Sequence, residues 1–192
     1  MQNNIPYLDE WLSLAKSGNY SKAQDIYFDK LFEVVIDQFK KKYETISPRG
    51  GTLFSILGFS PEPIILTAKS IEPEKHVIFT TNNHNEGYDY LEKYLEEKYE
   101  MVNLENERFD TMYKALKEKL ILNPTSQLTI DITGGKKSMV ASASIFGKDY
   151  GCRIVYVDFA EYIKDLRKPM PGSEILNLIY DPFNDQPEIF LK

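Results

Sequence analysis

A glycine-rich loop with two lysines is the segment of this chain best suited to bind an anion. Residues Asp131–Met139 have the sequence DITGGKKSM. Two consecutive glycines permit positive φ angles and let the backbone approach a ligand closely, and successive amide groups can form an anion-binding nest. Lys136 and Lys137 add positive charge, while Thr133 and Ser138 offer hydroxyl groups. The loop therefore predicts a phosphate site, and a glycine turn with solvated lysines and no ligand is the alternative.

A second loop has features that complement the first. Residues 58–63 have the sequence GFSPEP and, like the lysine loop, lead directly into a predicted helix. The backbone amide groups and the positive end of the helix dipole then point toward the space in front of the helix N-terminus, where an anion can bind. Pro61 suits an early helical position, with Ser60 either as its N-cap or as a ligand-facing hydroxyl. Glu62 is expected to complement the helix dipole from the first turn.

Common nucleotide and metal motifs fit this sequence poorly. The segment GGKKS at 134–138 has the end of a P-loop but not its preceding glycine, and the first loop lacks a Gly-x-Gly-x-x-Gly pattern. One cysteine, Cys152, and two histidines, His76 and His84, make a zinc site improbable. These observations argue against simple ATP or NAD binding, and no metal or cofactor is predicted.

The elements that position both loops alternate between strand and helix. This alternation is typical of a parallel sheet with right-handed crossovers and helices on both faces. The sequence predicts an α/β fold with a Rossmann-like, doubly wound, mainly parallel sheet of five or six strands. The predicted strands are 52–58, 76–81, 101–104, 127–132, 153–159 and 175–180, and the predicted helices are 62–71, 86–99, 108–122 and 136–150.

Strand order decides whether the two loops can meet. In open α/β sheets, ligands bind beyond the carboxyl ends of the strands where the strand order reverses. If the first strand starts the winding, its neighbour across that point is the fourth, and both loops face one crevice. Thr80, Thr81 and Asn82 end the second strand and should face the same crevice, either contacting an adenine or ribose or capping the next helix.

The first part of the chain differs in character from the rest. Apolar residues recur at helical spacing up to residue 45, which predicts an N-terminal helical hairpin. The stretch SPRGG at 47–51 is typical of a linker. We therefore expect a helical arm at 1–46, a Rossmann-like domain at 52–183 and a C-terminal tail at 184–192.

Composition narrows the class of ligand. The chain has 23 Lys and Arg residues against 29 Asp and Glu residues, a formal net charge of −6. A protein that follows a long nucleic-acid backbone usually carries a basic face, so a small anionic ligand is favoured over long DNA or RNA. No stretch approaches the length of a membrane span, and the first six residues lack the basic and apolar segments of a signal peptide, so we expect a cytoplasmic protein.

Three segments in this order resemble the CRISPR-associated Rossmann-fold (CARF) sensor domains. They are LGFSPEP at 57–63, DITGGKK at 131–137 and LRKPMPGSE at 166–174, and the resemblance covers about residues 52–180. The relevant branch of that family usually has Gly-Gly-Thr-Lys where this chain has Gly134-Gly135-Lys136-Lys137. Lys137 then aligns with the family lysine, and Lys136 stands where the family has a hydroxyl.

The resemblance implies a homodimer whose paired crevices bind a cyclic oligoadenylate, most often cyclic tetra-adenylate, in type III CRISPR antiviral signalling. Binding in such proteins switches an effector domain, which is absent from this chain or lies in another one. A metal-independent ring nuclease that leaves a 2′,3′-cyclic phosphate is an alternative, with Lys136, Lys137 and Ser60 as its catalytic residues. An unrelated nucleotide-phosphate enzyme on the same fold is a further alternative.

We predict that ligand-binding residues lie in the two loops, at the end of the second strand and in the third segment. They are Gly58, Phe59, Ser60, Pro61, Glu62, Thr80, Thr81, Asn82, Thr133, Gly134, Gly135, Lys136, Lys137, Ser138, Met139 and Arg167.

Overall fold

A computed structural model describes residues 5–45, 47–81 and 88–185. The described residues form two compact units. The helical unit contains 5–45 and 158–175, and the α/β unit contains the described parts of 46–157 and 176–192. The helical unit thus includes a later segment, 158–175, that the boundaries expected from the sequence assign to the Rossmann-like domain.

The described chain contains eight strands and eight α-helices. The strands are β1 (Thr52–Ile56), β2 (Lys75–Thr80), β3 (Glu100–Asn103), β4 (Leu128–Asp131), β5 (Arg153–Phe159), β6 (Tyr162–Ile163), β7 (Lys168–Pro169) and β8 (Glu174–Tyr180). The helices are α1 (Leu8–Lys16), α2 (Tyr20–Ile26), α3 (Phe32–Tyr43), α4 (Glu62–Ile71), α5 (Tyr88–Leu95), α6 (Phe109–Leu122), α7 (Lys137–Asp149) and α8 (Pro182–Asp185), with a π-helical turn at Tyr27–Leu31 between α2 and α3.

The main sheet has the strand order β3-β2-β1-β4-β5-β8. The pairs β1–β2, β2–β3, β1–β4 and β4–β5 are all parallel. The Rossmann-like fold predicted from the sequence is thereby confirmed. Because β1 pairs with β2 on one side and with β4 on the other, the strand order reverses between β1 and β4, as expected.

Alternating side chains of the central strands divide between two faces of the sheet. One face contributes Phe54, Phe79 and Ile130 to a core cluster that α6 and α7 complete with Met112, Leu116, Met139, Ala143 and Phe146. The other face carries Ser55, His76 and Asp131, which are polar and also buried. Burial on both faces explains why the strands are apolar or β-branched almost throughout.

The helical unit packs around aromatic side chains. The rings of Trp11, Tyr27 and Phe32 follow one another at centroid distances of 5.9 Å and 5.4 Å. β6 and β7 form a two-stranded antiparallel sheet. The Tyr43 hydroxyl and the Lys42 ammonium donate to the backbone carbonyl of Glu174 at 3.4 Å and 3.3 Å, which joins α3 to the later segment of this unit. The predicted N-terminal helical region is confirmed.

The observed elements match the predicted ones most closely around the switch point. α4 has the predicted bounds, and β1 and β4 begin or end within two residues of them. The predicted helix at 86–99 is too long, because α5 ends at Leu95 and the next two residues, Glu96 and Glu97, have left-handed φ angles of 54° and 57°. None of the helices within the described ranges combines the length and the hydropathy that crossing a membrane requires.

Candidate anion-binding site at the sheet switch point

The two glycine-containing loops that follow β1 and β4 are in backbone contact. A methyl group placed on Gly58 would lie 2.9 Å from the amide nitrogen of Gly135. One placed on Gly134 would lie 2.8 Å from the amide nitrogen of Gly58 and would overlap the carbonyl oxygen of Ile56. Such distances leave no room for a side chain, so glycine is required on both loops. The sequence therefore brings together the two segments from which the phosphate site was predicted.

Asp131 shapes the loop after β4. This fully buried carboxylate accepts hydrogen bonds at Oδ1 from the Thr133 amide, at 2.9 Å, and from the Thr133 hydroxyl, at 2.5 Å. The same hydroxyl accepts a hydrogen bond from the Val157 amide at 2.8 Å. Thr133, predicted to contact ligand, thus uses its hydroxyl to hold the loop against β5.

Burial raises the pKa of the Asp131 carboxyl, and the hydrogen bonds from Thr133 partly offset this effect. The Thr67 hydroxyl of α4 lowers the pKa slightly as well, although Thr67 Oγ1 and Asp131 Oδ2 make no hydrogen bond of standard geometry with any described residue. The loop is therefore built on a carboxyl group that is shielded from solvent.

The two lysines of the loop differ in their surroundings. Lys136 Nζ lies 2.6 Å from Glu107 Oε1 in an ion pair between the loop before α7 and the loop before α6. Lys137 is exposed and has no ion-pair or hydrogen-bond partner among the described residues. No side chain caps the N-terminus of α7. The unpaired charge at this helix end is therefore that of Lys137.

The start of α4 differs from its predicted form. Pro61 is the N-cap, because its carbonyl accepts the first helical hydrogen bond, from the Ile65 amide at 3.1 Å. The interpretation of Ser60 as the N-cap is wrong: no side chain caps this helix, and Ser60 is exposed without a hydrogen bond to a described residue. Glu62 lies in the first turn as expected. Phe59 projects outward with 94% of its surface exposed.

The remaining predicted residues have varied positions. Thr80 is buried at the end of β2, Thr81 is half-buried, and Asn82 lies outside the described residues. Met139 packs in the core cluster. Ser138 is half-buried, and its hydroxyl donates to the Glu107 carbonyl at 2.5 Å. Arg167 lies between β6 and β7 in the helical unit, with a φ angle of 52°, and its contact with ligand stays a prediction.

Two residues near the site were not singled out by the sequence. Glu107 lies in the loop between β3 and α6, far from the lysines along the chain, and no local pattern reveals its pairing with Lys136. Asp131 belongs to the motif DITGGKK but has no predicted role of its own. Its spacing from Thr133 is the signal for an Asx turn, in which the side chain accepts from the backbone two residues on. That signal was sufficient to predict the contact.

No group of three or more His, Cys, Asp or Glu side chains in the described ranges is arranged to hold a metal ion. The loop instead offers backbone amide groups and the exposed ammonium of Lys137, beside the ion pair between Lys136 and Glu107. Such a donor set suits a phosphate or another small oxyanion.

Fold and geometry together define a Rossmann-like domain in which two glycine-containing loops meet at the topological switch point. No family model matches the chain. The chain is 26% identical over 138 residues to the CRISPR system endoribonuclease Csm6 of Thermus thermophilus, and the match covers 69% of this chain but only 30% of that protein. The chain thus spans less than a third of the relative that it matches.

Two solved structures resemble parts of the chain, each at 19% sequence identity. Can2 from Sulfobacillus thermosulfidooxidans in complex with cyclic tetra-adenylate has a TM-score of 0.48, with 56% of this chain and 32% of that chain covered. Enterococcus italicus Csm6 bound to cyclic hexa-2′-fluoro-hexa-dAMP has a TM-score of 0.45, with 57% and 34% covered. The sequence match to the Thermus thermophilus CRISPR protein agrees with the resemblance to CRISPR-associated Rossmann-fold domains that the sequence motifs indicate.

Proposed function

We propose that this chain is a homodimeric sensor that binds a cyclic oligoadenylate in type III CRISPR antiviral signalling. Cyclic tetra-adenylate is the ring that we expect it to prefer. The ligand lies in a pocket formed by the loops after β1 and β4 of two chains. Binding controls an effector domain outside these 192 residues. The ligands named for Can2 and for the Enterococcus italicus Csm6 are of this chemical class.

The observation that carries the proposal is the backbone contact between the loops after β1 and β4. Gly58, Gly134 and Gly135 leave the site without side chains at the point where the loops meet. The close packing that these glycines permit brings the loop after β1 next to the loop that leads into α7, a helix whose N-terminus no side chain caps and which can bind an anion. Lys137 adds a charge that no described residue neutralises.

Charge matching favours a dimer. A cyclic tetra-adenylate has four phosphodiester groups, each with one negative charge, whereas one loop offers a single unpaired lysine. A two-fold axis doubles each contact, so that two lysines and two helix N-termini face the ring. The dimer provides this compact positive site although the chain as a whole has a net charge of −6.

Calorimetric titration with cyclic tri-, tetra- and hexa-adenylate tests the proposal. We expect tight binding of one ring per dimer, with cyclic tetra-adenylate preferred and linear tetra-adenylate bound weakly. Chromatography of the same mixtures after an hour without metal should recover the intact ring. Linear products would make the chain a ring nuclease, and no heat with any ring would contradict the proposed function.

Lys137→Ala tests the residue on which the site depends most. A hydrogen bond between charged groups contributes about 1.5 kcal/mol and the dimer has two, so we expect the affinity for the ring to fall about a hundredfold. Lys148→Ala is the matched control, because Lys148 is an exposed lysine in the last turn of the same helix. Equal affinities of the two variants would exclude Lys137 from the site.

A further inference from the structure

Three contacts join the loop before α6 and the first residue of α6 to the loop before α7 and the first turns of α7. The ion pair between Lys136 and Glu107 is the first. In the second, the Ser138 hydroxyl donates to the Glu107 carbonyl at 2.5 Å. The third is the hydrogen bond from the Ser142 hydroxyl to the Phe109 carbonyl at 2.9 Å. The backbone at Glu107 and at Phe109, two residues further on, is therefore held against α7, with the Glu107 carboxylate beside Lys136.

Other charges near this ion pair do not compete for it. Arg108, the neighbour of Glu107, pairs with Asp110 at 3.1 Å. These residues and Lys136 line an open cleft of about 560 Å³. Glu107 keeps 36% of its side-chain surface exposed and Lys136 keeps 66%, so both can be reached by an anion from solvent. The hydrogen bond from Lys136 lowers the pKa of the Glu107 carboxyl, which keeps it ionised at neutral pH.

We propose that Glu107 is a specificity-determining residue that holds Lys136 in a neutral pair and thereby restricts the site to anions with one charge per phosphate. The inference rests on the proposed function and adds a selection rule to it. With Lys136 paired, each loop presents the single net charge of Lys137. That charge matches a phosphodiester, which carries one negative charge.

A free polyphosphate meets a less favourable site. Pyrophosphate and nucleoside triphosphates concentrate several negative charges on adjacent phosphates, and a site that neutralises only one of them leaves the rest uncompensated. The Glu107 carboxylate also repels the second charge at short range. Cyclic oligoadenylate avoids this penalty because its phosphates are spaced around a ring. Glu107 thus discriminates against abundant cellular polyphosphates at a site that has no P-loop.

Glu107→Gln separates the charge of this residue from its shape. The amide keeps the size of the side chain and can still accept a hydrogen bond from Lys136, but it does not neutralise the ammonium. We expect the affinity for inorganic pyrophosphate, measured by NMR titration, to rise about tenfold. The affinity for cyclic tetra-adenylate should rise less. The ratio of cyclic tetra-adenylate affinity to pyrophosphate affinity therefore falls. Adding Lys136→Met to this variant should restore the wild-type ratio.

Glu105→Gln is the matched control, because Glu105 is exposed two positions away and has no partner among the described residues. It removes the same charge from the same loop, and we expect pyrophosphate affinity to change less than twofold. Equal responses of the two variants, or no pyrophosphate binding by Glu107→Gln, would overturn the inference. If the wild type binds no ring, the proposed function fails, and the pyrophosphate titrations still decide whether Glu107 selects among anions.

Discussion

At the scale of single residues, the buried histidine His76 affects how the stability of this molecule depends on pH. His76 on β2 is 3% exposed, and its Nε2 atom lies 2.9 Å from the Ser55 hydroxyl of β1. Loss of hydration lowers the pKa of this imidazole from 6.5 to about 3. His76 is therefore neutral at physiological pH and cannot serve as a proton donor to the anion site. It is a structural residue.

We expect His76 to make the α/β unit sensitive to acid. Between pH 6.5 and 3 the unfolded chain binds a proton at this position and the folded chain does not, so stability falls as the pH falls through that window. Over two pH units the loss is about 2–3 kcal/mol. Urea denaturation followed by far-UV circular dichroism at pH 6.5 and 4.5 measures it.

The variant His76→Gln isolates this contribution from that of the carboxyl groups. The glutamine amide can hydrogen-bond to Ser55 but does not titrate. Its free energy of unfolding should therefore fall less between the two pH values than that of the wild type. Parallel losses in the two proteins would show that His76 is protonated in the folded state as readily as in the unfolded chain.

At the scale of secondary-structure elements, the candidate site depends on β1, β4 and the loops that follow them. β1 and β4 pair directly, with Ser55 opposite Asp131, so the loops that follow begin side by side. Their contact depends on glycine, because even a methyl group on Gly134 overlaps the Ile56 carbonyl. The geometry of the site is thus decided by main-chain packing before any side chain contacts a ligand.

Gly134→Ala should disrupt this contact. The methyl group has to displace backbone rather than a flexible side chain, and overpacking of this kind costs about 1–3 kcal/mol. We expect a loss in that range from the free energy of unfolding, together with at least a tenfold loss of affinity for cyclic tetra-adenylate because the loops separate. Circular dichroism and calorimetry provide the two measurements.

Gly50→Ala is a suitable control for that variant. Gly50 has a positive φ angle of 78° and open space around its missing side chain. Alanine there carries a conformational cost of about 1 kcal/mol but no overlap, and the ring affinity should not change. If both glycine variants lose ring affinity equally, the close contact of the loops is not what forms the site.

The order of elements and the meeting of the loops after β1 and β4 could be predicted from the sequence for physical reasons. Strands buried on both faces have to be apolar, as in the run from Ile154 to Val157, and β1 and β4 are brought together by the general winding rule. Contacts between distant loops could not be predicted. The pairing of Glu107 with Lys136 depends on the positions in space of two loops that are distant in sequence. The end of α5 depends on two residues with left-handed φ angles, Glu96 and Glu97, and neither is a glycine, the residue type that usually indicates such a conformation.

At the scale of the whole molecule, net charge and local charge act in opposite directions. The excess of six acidic groups opposes the binding of a long polyanion, whereas in the proposed function the switch-point loop binds a small one. Repulsion would act along the full length of an extended nucleic acid but only weakly on a compact ring bound in the proposed pocket. The proposed function therefore predicts selection by size from the charge distribution, without any contact to a base.

We expect no stable complex with a long linear nucleic acid. A 30-nucleotide polyadenylate or a DNA duplex, tested by electrophoretic mobility shift at about 0.15 M salt, should not be retarded by micromolar protein, because the Debye length of about 8 Å still lets the acidic surface oppose its backbone. Cyclic tetra-adenylate should bind under the same conditions. Retardation that weakens steeply as salt rises would instead reveal a basic face that binds a phosphate backbone. Long RNA would then compete with the ring for the same protein. That result would contradict selection by size.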